Sequence, residues 1–223
     1  MSDPEFDRLA EAAMTRYAGV SRTAQGMLRG KLRADPMYRE LLRLGVDTAP
    51  RLVDLGCGRG LLLSLILAAR SSGVRPALHG IEIDPAAART AGRALGDAAT
   101  IVQGDLAKEA LPPCDVVTLL DVAHYLPVSV QDDLFVRIRA ALPPGGRLFV
   151  READAAAGAG FLAVRATERL AAIGRGDVFR RFAYRSAAEW SHRLEAAGFS
   201  VATTPMSGGT PFANVLMEAR ARA

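Results

Sequence analysis

The stretch VDLGCGRG, Val53–Gly60, constrains the fold more than any other part of this chain. The strand-like run RLVDL carries an acid at Asp54. Glycine then stands at alternate positions (Gly56, Gly58 and Gly60), and the apolar run LLLSLILAA begins at once. A strand, a glycine turn and a helix in that order put bare backbone N–H groups at the C-terminal edge of a parallel sheet, where open α/β folds bind ligands. Glycine serves such a turn twice, by allowing positive φ and by removing the Cβ that would hold a ligand away.

The flanking sequence has the alternation that such a sheet needs. Strands are expected at 51–55, 77–83, 100–104, 114–120 and 146–152. Helices are expected between them at 60–70, at 85–95 behind an Asp84 N-cap, and at about 128–142 before the breaker PPGG. CDVVTLL (114–120) is a continuous apolar run, the pattern of a strand buried on both faces. The last third departs from strict alternation. A helix near 161–173 is followed by an arginine-rich loop containing Arg180–Arg181, and Ser186 with Glu189 forms a capping box for another helix that ends at Gly198. FSVATTP (199–205) and FANVLMEA (212–219) read as strands. The SGGTP turn between them is too short for a crossover, so they are expected to be antiparallel neighbours. Residues 1–45 read as two or three helices broken near Gly19, Gly30 and Asp35-Pro36, able to cap an open sheet edge. Residues 46–223 read as the main domain, with lid helices at about 155–198.

Composition narrows the class. The chain has 223 residues, half of them hydrophobic, enough for one sizeable core. Its two cysteines, Cys57 and Cys114, are expected to be free thiols. LLLSLILAA is about half the ~20 residues that a membrane span needs, and MSDPEFDRLA lacks the basic start and apolar run of a secretory signal. A cytoplasmic protein is therefore expected. The net charge of +4 is mostly arginine. The clusters Arg29–Lys31–Arg33, Arg180–Arg181 and Arg220–Arg222 lack interleaved aromatics, which disfavours nucleic-acid binding. An acidic carrier protein would suit the same charge.

Four signals point to the ligand. GxGxG after the acid differs from the dinucleotide fingerprint GxGxxG, and no Gly-Lys-Ser/Thr follows as in a Walker loop. Glu82, in HGIEIDP at the end of the second strand, can accept both ribose hydroxyls of an adenosine, a role for which Asp84 competes. After the third strand, Asp105 can accept from an adenine amino group while Leu106 packs on the ring. LLDVAHYLP (119–127) leaves the fourth strand across the same edge. With these residues, the chain resembles the class I S-adenosylmethionine-dependent methyltransferases over about residues 48–220. VDLGCGRG is similar to their first motif, GIEID to the second, QGDL to the third, and DVVTLLDVAHYL with LPPGGRLFV to the later ones.

The resemblance implies a Rossmann-like α/β fold, with a seven-stranded, mostly parallel sheet in the order 3-2-1-4-5-7-6, the last strand antiparallel, and helices on both faces. It implies S-adenosylmethionine as cofactor and S-adenosylhomocysteine as product. Gly56 and Gly58 would lie in close contact with its methionine part, Glu82 would hold its ribose, and Asp105 and Leu106 its adenine, with Asp54, Cys57, Gly60 and Ile83 also counted among the cofactor-binding residues. Leu120 and Asp121 would lie beside the ammonium. Arg29 or Lys31 could reach the cofactor carboxylate. His124 is the candidate base for an acceptor that carries a proton. Tyr17, Tyr125, Arg151, Phe161 and Phe212, with Met14, Met27 and Thr210, are candidates for the acceptor pocket. Arg151, Glu152 and Asp154 leave the fifth strand together, to meet a polar substrate or pair with each other. His79 and His192 read as structural or surface residues, and no Cys/His cluster has metal spacing. RGKLRADP, READAAAG and SGGTPFANV resemble a bacterial small-molecule subgroup of polyketide or aryl-polyene type, which implies a carrier-bound phenolic acid as acceptor. The expected function is methyl transfer to a small apolar or aromatic molecule by a monomer or homodimer. An RNA or protein methyltransferase, a cofactor-binding module without catalysis, and a nicotinamide dehydrogenase remain alternatives.

Overall fold

The computed structural model describes residues 2–70, 75–174, 181–208 and 211–223. Thr210 of the SGGTP turn and Arg180 of the arginine pair lie outside the described residues. The chain divides into two compact units, Met1–Thr118 and Leu119–Ala223.

The first unit begins with α1 (Asp3–Met14), α2 (Arg22–Ala34) and α3 (Pro36–Arg43). It continues through β1 (Arg51–Leu55), α4 (Leu61–Ala69), β2 (Ala77–Glu82), α5 (Pro85–Leu95) and β3 (Thr100–Gln103). β1 pairs in parallel with β2, and β2 with β3. α4 is apolar on nearly every side, and Leu61 through Ile66 are all buried. Pro85 opens α5, and Asp84 Oδ1 accepts from the N–H groups of Ala86 and Ala87 at 2.7 and 3.3 Å. That cap contributes about 1 kcal/mol. α1 packs on α4 and α2, burying Phe6, Ala10, Ala13 and Met14. The Ser64 hydroxyl of α4 donates to Ala13 O at 2.8 Å.

One expected break is absent, because α2 runs straight through Gly30. A glycine inside a helix costs about 0.5–1 kcal/mol. Leu28 and Leu32 of the same helix are buried, and a buried leucine contributes about 1.5–3 kcal/mol. Burial outweighs the glycine.

β4 (Val116–Leu120) spans the boundary between the units. The second unit continues with a 3₁₀ turn (Ala123–Tyr125), α6 (Val128–Ala141), β5 (Arg147–Ala153), α7 (Gly158–Gly174), α8 (Ala187–Ala196), β6 (Phe199–Pro205) and β7 (Asn214–Ala221). β7 pairs antiparallel with both β5 and β6, as the short turn required. The seven strands form one sheet in the order β3-β2-β1-β4-β5-β7-β6. Ser186 and Glu189 form both halves of the capping box of α8. Trp190 is fully buried and meets Phe135 edge-on at 6.1 Å, with Phe149 and Phe199 also fully buried. Among the described residues no helix is long and apolar enough to cross a membrane.

Candidate functional site

In the first unit the site is built on the turn from β1 to α4. Gly56, Gly58 and Gly60 all have left-handed φ (73°, 56° and 77°), a conformation that explains the alternate spacing. The N–H groups of Gly56 and Cys57 both donate to Ile81 O, at 2.8 and 3.1 Å, so the turn is anchored to β2. Gly60 sits against α5, where an added Cβ would stand 2.8 Å from Leu95 Cδ1. Gly58 differs: a Cβ there would have no neighbour within 4 Å. Its N–H donates to Glu82 Oε2 at 2.8 Å, and Glu82 Oε1 accepts from Asp84 N at 2.8 Å. Each carboxylate oxygen of Glu82 keeps a second lone pair for a ligand. The Asp84 carboxylate caps α5 instead. Ile83, between them, is 63% exposed although apolar.

Beneath the turn, Asp54 is buried and its Oδ1 accepts from Thr118 Oγ1 at 2.7 Å. Burial first, and Glu82 with it, pushes its carboxyl up to about 6 against the lowering hydrogen bond from Thr118. Cys57 fits only because residue 80 is glycine, since a Cβ there would stand 2.7 Å from its Sγ. Burial also pushes the Cys57 thiol up. Tyr17, expected in an acceptor pocket, is 1% exposed, and its hydroxyl donates to Arg59 O at 2.9 Å. It supports the glycine turn. Gly104 N donates to Glu82 O at 3.0 Å, which brings the third motif beside the second. Asp105 Oδ1 accepts from Ala107 N at 2.9 Å, and Leu106 is buried. Arg29 is occupied by Glu11, with Nε–Oε1 at 3.0 Å. Lys31, the other candidate, lies near enough to Asp54 for its charge to favour the carboxylate.

In the second unit, Leu120 is half-buried at the end of β4, and Asp121 follows with φ 58°, the one positive φ among described non-glycine residues. Asp tolerates that region better than most residues. Its carboxylate is gripped by Arg151, with Nε–Oδ1 at 2.8 Å and Nη2 on the other oxygen, and its N–H donates to Arg151 O at 2.9 Å. Arg151 is buried. Glu152, fully buried, accepts from Val122 N and His124 N at 3.1 and 3.3 Å through Oε1, and its Oε2 lies 2.6 Å from His124 Nδ1. Asp154 Oδ1 accepts from Ala156 N and Ala187 N, at 2.9 and 3.0 Å. Arg151 and Glu152 of β5 thus bond to Asp121 and to the Val122–His124 turn, and Asp154, just past the strand, bonds to Ala156 N and to Ala187 N of α8.

His124 is 3% exposed, and its Nε2 is buried without a hydrogen-bond partner among the described residues. Burial alone would push its pKa down. The charge and hydrogen bond of Glu152, helped by Glu168 and Asp121, override that and raise it. Tyr125 lies at 4.2 Å between ring centroids, and its hydroxyl donates to Glu168. Phe161, at 5.1 Å, meets edge-on the ring of Tyr184, a residue for which no role was expected. Tyr184 stacks on His124 at 5.0 Å and 15°, and Phe182 lies 6.0 Å from His124. Phe212 is half-buried, just before β7. Met14 is buried and Met27 is 66% exposed. His192 is exposed, and His79 is half-buried in β2.

A family model described as a methyltransferase domain matches residues 28–204. Trans-aconitate 2-methyltransferase of Paracidovorax citrulli is 37% identical over 123 residues, 55% of this chain and 46% of that enzyme. The chain thus matches just under half of that relative's length. Human N-acetylserotonin methyltransferase, solved in complex with its S-adenosyl cofactor, has a TM-score of 0.64 at 19% identity, over 100% of this chain and 61% of that one. Magnesium protoporphyrin IX methyltransferase of Synechocystis PCC 6803, solved with S-adenosylhomocysteine, has a TM-score of 0.63 at 23% identity, over 99% and 95% of the two chains. The two structures share the fold.

Proposed function

The chain belongs to the class I S-adenosylmethionine-dependent methyltransferase family, and from that premise we propose that it methylates a small aromatic or apolar acceptor, with His124 as base. The names of its relatives favour small acceptors: trans-aconitate, N-acetylserotonin and a porphyrin. The observation that carries the reading is the buried His124–Glu152 pair at 2.6 Å, whose outer nitrogen has no hydrogen-bond partner among the described residues and is surrounded by aromatic rings.

The first unit's residues fit the cofactor. Space is open over Gly58, Glu82 has lone pairs free for ribose hydroxyls, and exposed Ile83 and buried Leu106 offer apolar surface for adenine. Asp54, Gly56, Cys57 and Gly60 shape the turn, Asp105 takes the adenine amino group, and Lys31 serves the carboxylate better than the occupied Arg29. In the second unit, Leu120 and Asp121 would meet the ammonium, with Arg151 fixing the Asp121 carboxylate. Bound there, the cofactor would supply an electrophilic methyl group on sulfonium sulfur, and the electron pair of its carbon–sulfur bond would leave with the sulfur. The chain holds the acceptor in line and dry, an effect of about 7–11 kcal/mol. His124 Nε2 takes the acceptor's proton, while Glu152 keeps the proton on Nδ1 and stabilises the imidazolium. Residues 1–45 are read as a helical cap on the domain formed by 46–223, with the lid in about 155–198. The protein is placed in the cytoplasm as a monomer or homodimer, its basic surface suited to an acidic carrier protein.

The test is incubation with methyl-labelled cofactor and a panel of phenols, polyenes and carboxylic acids, free and carrier-bound, alongside RNA and cell protein. Label on a small or carrier-bound molecule, lost in His124→Gln, is expected. Label on RNA or protein alone, or stoichiometric cofactor binding without turnover, would overturn the reading.

A further inference from the structure

We infer that Tyr184 is the second polar group of the acceptor site, donating a hydrogen bond to the same acceptor oxygen whose proton passes to His124 Nε2, and that the pair thereby selects hydroxyl acceptors. The inference rests on the reading of His124 as base. Five buried side-chain polar atoms of the second unit have no hydrogen-bond partner among the described residues: His124 Nε2, Gln131 Oε1, the Tyr184 hydroxyl, Arg185 Nη1 and Trp190 Nε1. Gln131 and Arg185 bond through their other side-chain atoms, whereas His124 Nε2 and the Tyr184 hydroxyl share one aromatic cluster. The His124 and Tyr184 rings are stacked at 5.0 Å and nearly parallel, at 15°. Aromatic rings flank Tyr184: Phe161 meets its ring edge-on at 5.1 Å and Phe182 stacks on it at 5.8 Å, with the guanidinium groups of Arg165 and Arg169 over those two rings at 5.9 and 5.7 Å. A hydroxyl buried without a partner is costly, and a bound acceptor would complete this one. Burial, with Glu168 and Glu152 nearby, holds the hydroxyl in its protonated, donating form.

Counting lone pairs narrows the acceptor class. A hydroxyl oxygen with its proton directed at His124 has two lone pairs, one for the methyl carbon and one for the Tyr184 hydroxyl, and giving up the proton adds a third. An amine nitrogen has a single lone pair, so a bond from Tyr184 would compete with attack. A carboxylate has no proton for His124 to take. An aromatic hydroxyl matches both the two polar atoms and the ring-lined walls. In the complete step the oxygen–hydrogen bond breaks with the proton moving to Nε2, an oxygen–methyl bond replaces the sulfur–methyl bond, and the released electron pair remains on sulfur.

The test uses 4-nitrophenol, whose phenolate absorbs in the visible, titrated into the protein saturated with S-adenosylhomocysteine. The wild type is expected to raise the phenolate fraction, and His124→Gln to abolish that rise. Tyr184→Phe keeps the ring stack and so the fold. It is expected to weaken phenolate binding about ten- to a hundred-fold, the range for a lost hydrogen bond to a charged oxygen. It should leave the affinities for S-adenosylhomocysteine and for 4-nitroaniline unchanged. If Tyr184→Phe binds phenolate like the wild type while His124→Gln does not, the Tyr184 role is overturned and the base survives. If the wild type never raises the phenolate fraction, the base reading falls and this inference falls with it.

Discussion

Alanine at Gly58 should chiefly impair binding and alanine at Gly60 chiefly stability, although the two glycines share one turn. Both have left-handed φ, +56° and +77°. An L-residue in that conformation costs roughly 1–2 kcal/mol. At Gly58 the new methyl meets no atom within 4 Å, so the cost stops there. At Gly60 it would stand 2.8 Å from Leu95 Cδ1 and 3.1 Å from Ala91 Cβ. Overpacking of that kind adds about 1–3 kcal/mol, for a total of roughly 2–5 kcal/mol. Against a typical stability of about 5–15 kcal/mol, Gly58→Ala stays folded and Gly60→Ala is severely weakened. Urea denaturation should give midpoints in the order wild type, Gly58→Ala, Gly60→Ala. Calorimetry with S-adenosylhomocysteine should give the functional contrast: Gly58→Ala loses about tenfold or more in affinity because its methyl fills space assigned to the cofactor. Wild-type affinity in Gly58→Ala would refute the assignment of that space. Equal midpoints for the two variants would refute the packing account of Gly60.

Three further predictions use other residues. Glu82→Ala should weaken S-adenosylhomocysteine binding by about 1.5–3 kcal/mol, the loss for charge-assisted hydrogen bonds, and unchanged affinity by calorimetry would exclude Glu82 from the ribose. The His124 pKa is raised in the fold, so the charged pair with Glu152 contributes stability that is complete below the unfolded value of about 6.5. That stability is lost as pH rises through the folded value, while turnover, which needs neutral His124, rises over the same window. Glu152→Gln should flatten the stability curve and move the activity limb to lower pH, and a flat wild-type stability curve would contradict the pairing. Ser186→Ala removes one half of the α8 capping box and should cost about 1 kcal/mol in urea with the slope unchanged. No loss would mean that the cap is idle.

The sheet was legible because strand and turn signals are local. RLVDL, FSVATTP and the Pro85–Leu95 helix are bounded by their own residues, and their ends match the structure. Where tertiary pairing decides, the boundaries moved. β7 runs over Asn214–Ala221 rather than 212–219, since its span follows the pairing with β5 and β6 and not the apolar Phe212. α7 begins at Gly158, within a run of alanine and glycine that carries no periodic signal. The glycine turn was legible for the same local reason as the strands. The partners of His124 were not: Glu152 lies 28 residues further on. Tyr184 was missed because RRFAYRS reads as a charged loop. The alternation of Phe182 and Tyr184 was the one available signal, and it shows a shared face without showing what that face meets.

The placement of the cysteines and the tryptophan has a practical consequence. Cys57 and Cys114 are buried in Met1–Thr118, with the Cys114 thiol pushed up to about 11 by burial, so alkylating reagents should spare both until that half opens. The sole tryptophan, Trp190, is buried in Leu119–Ala223, and its fluorescence will change only when that half opens. The chain therefore carries one built-in reporter in each half, and the opening of each can be followed without a foreign label.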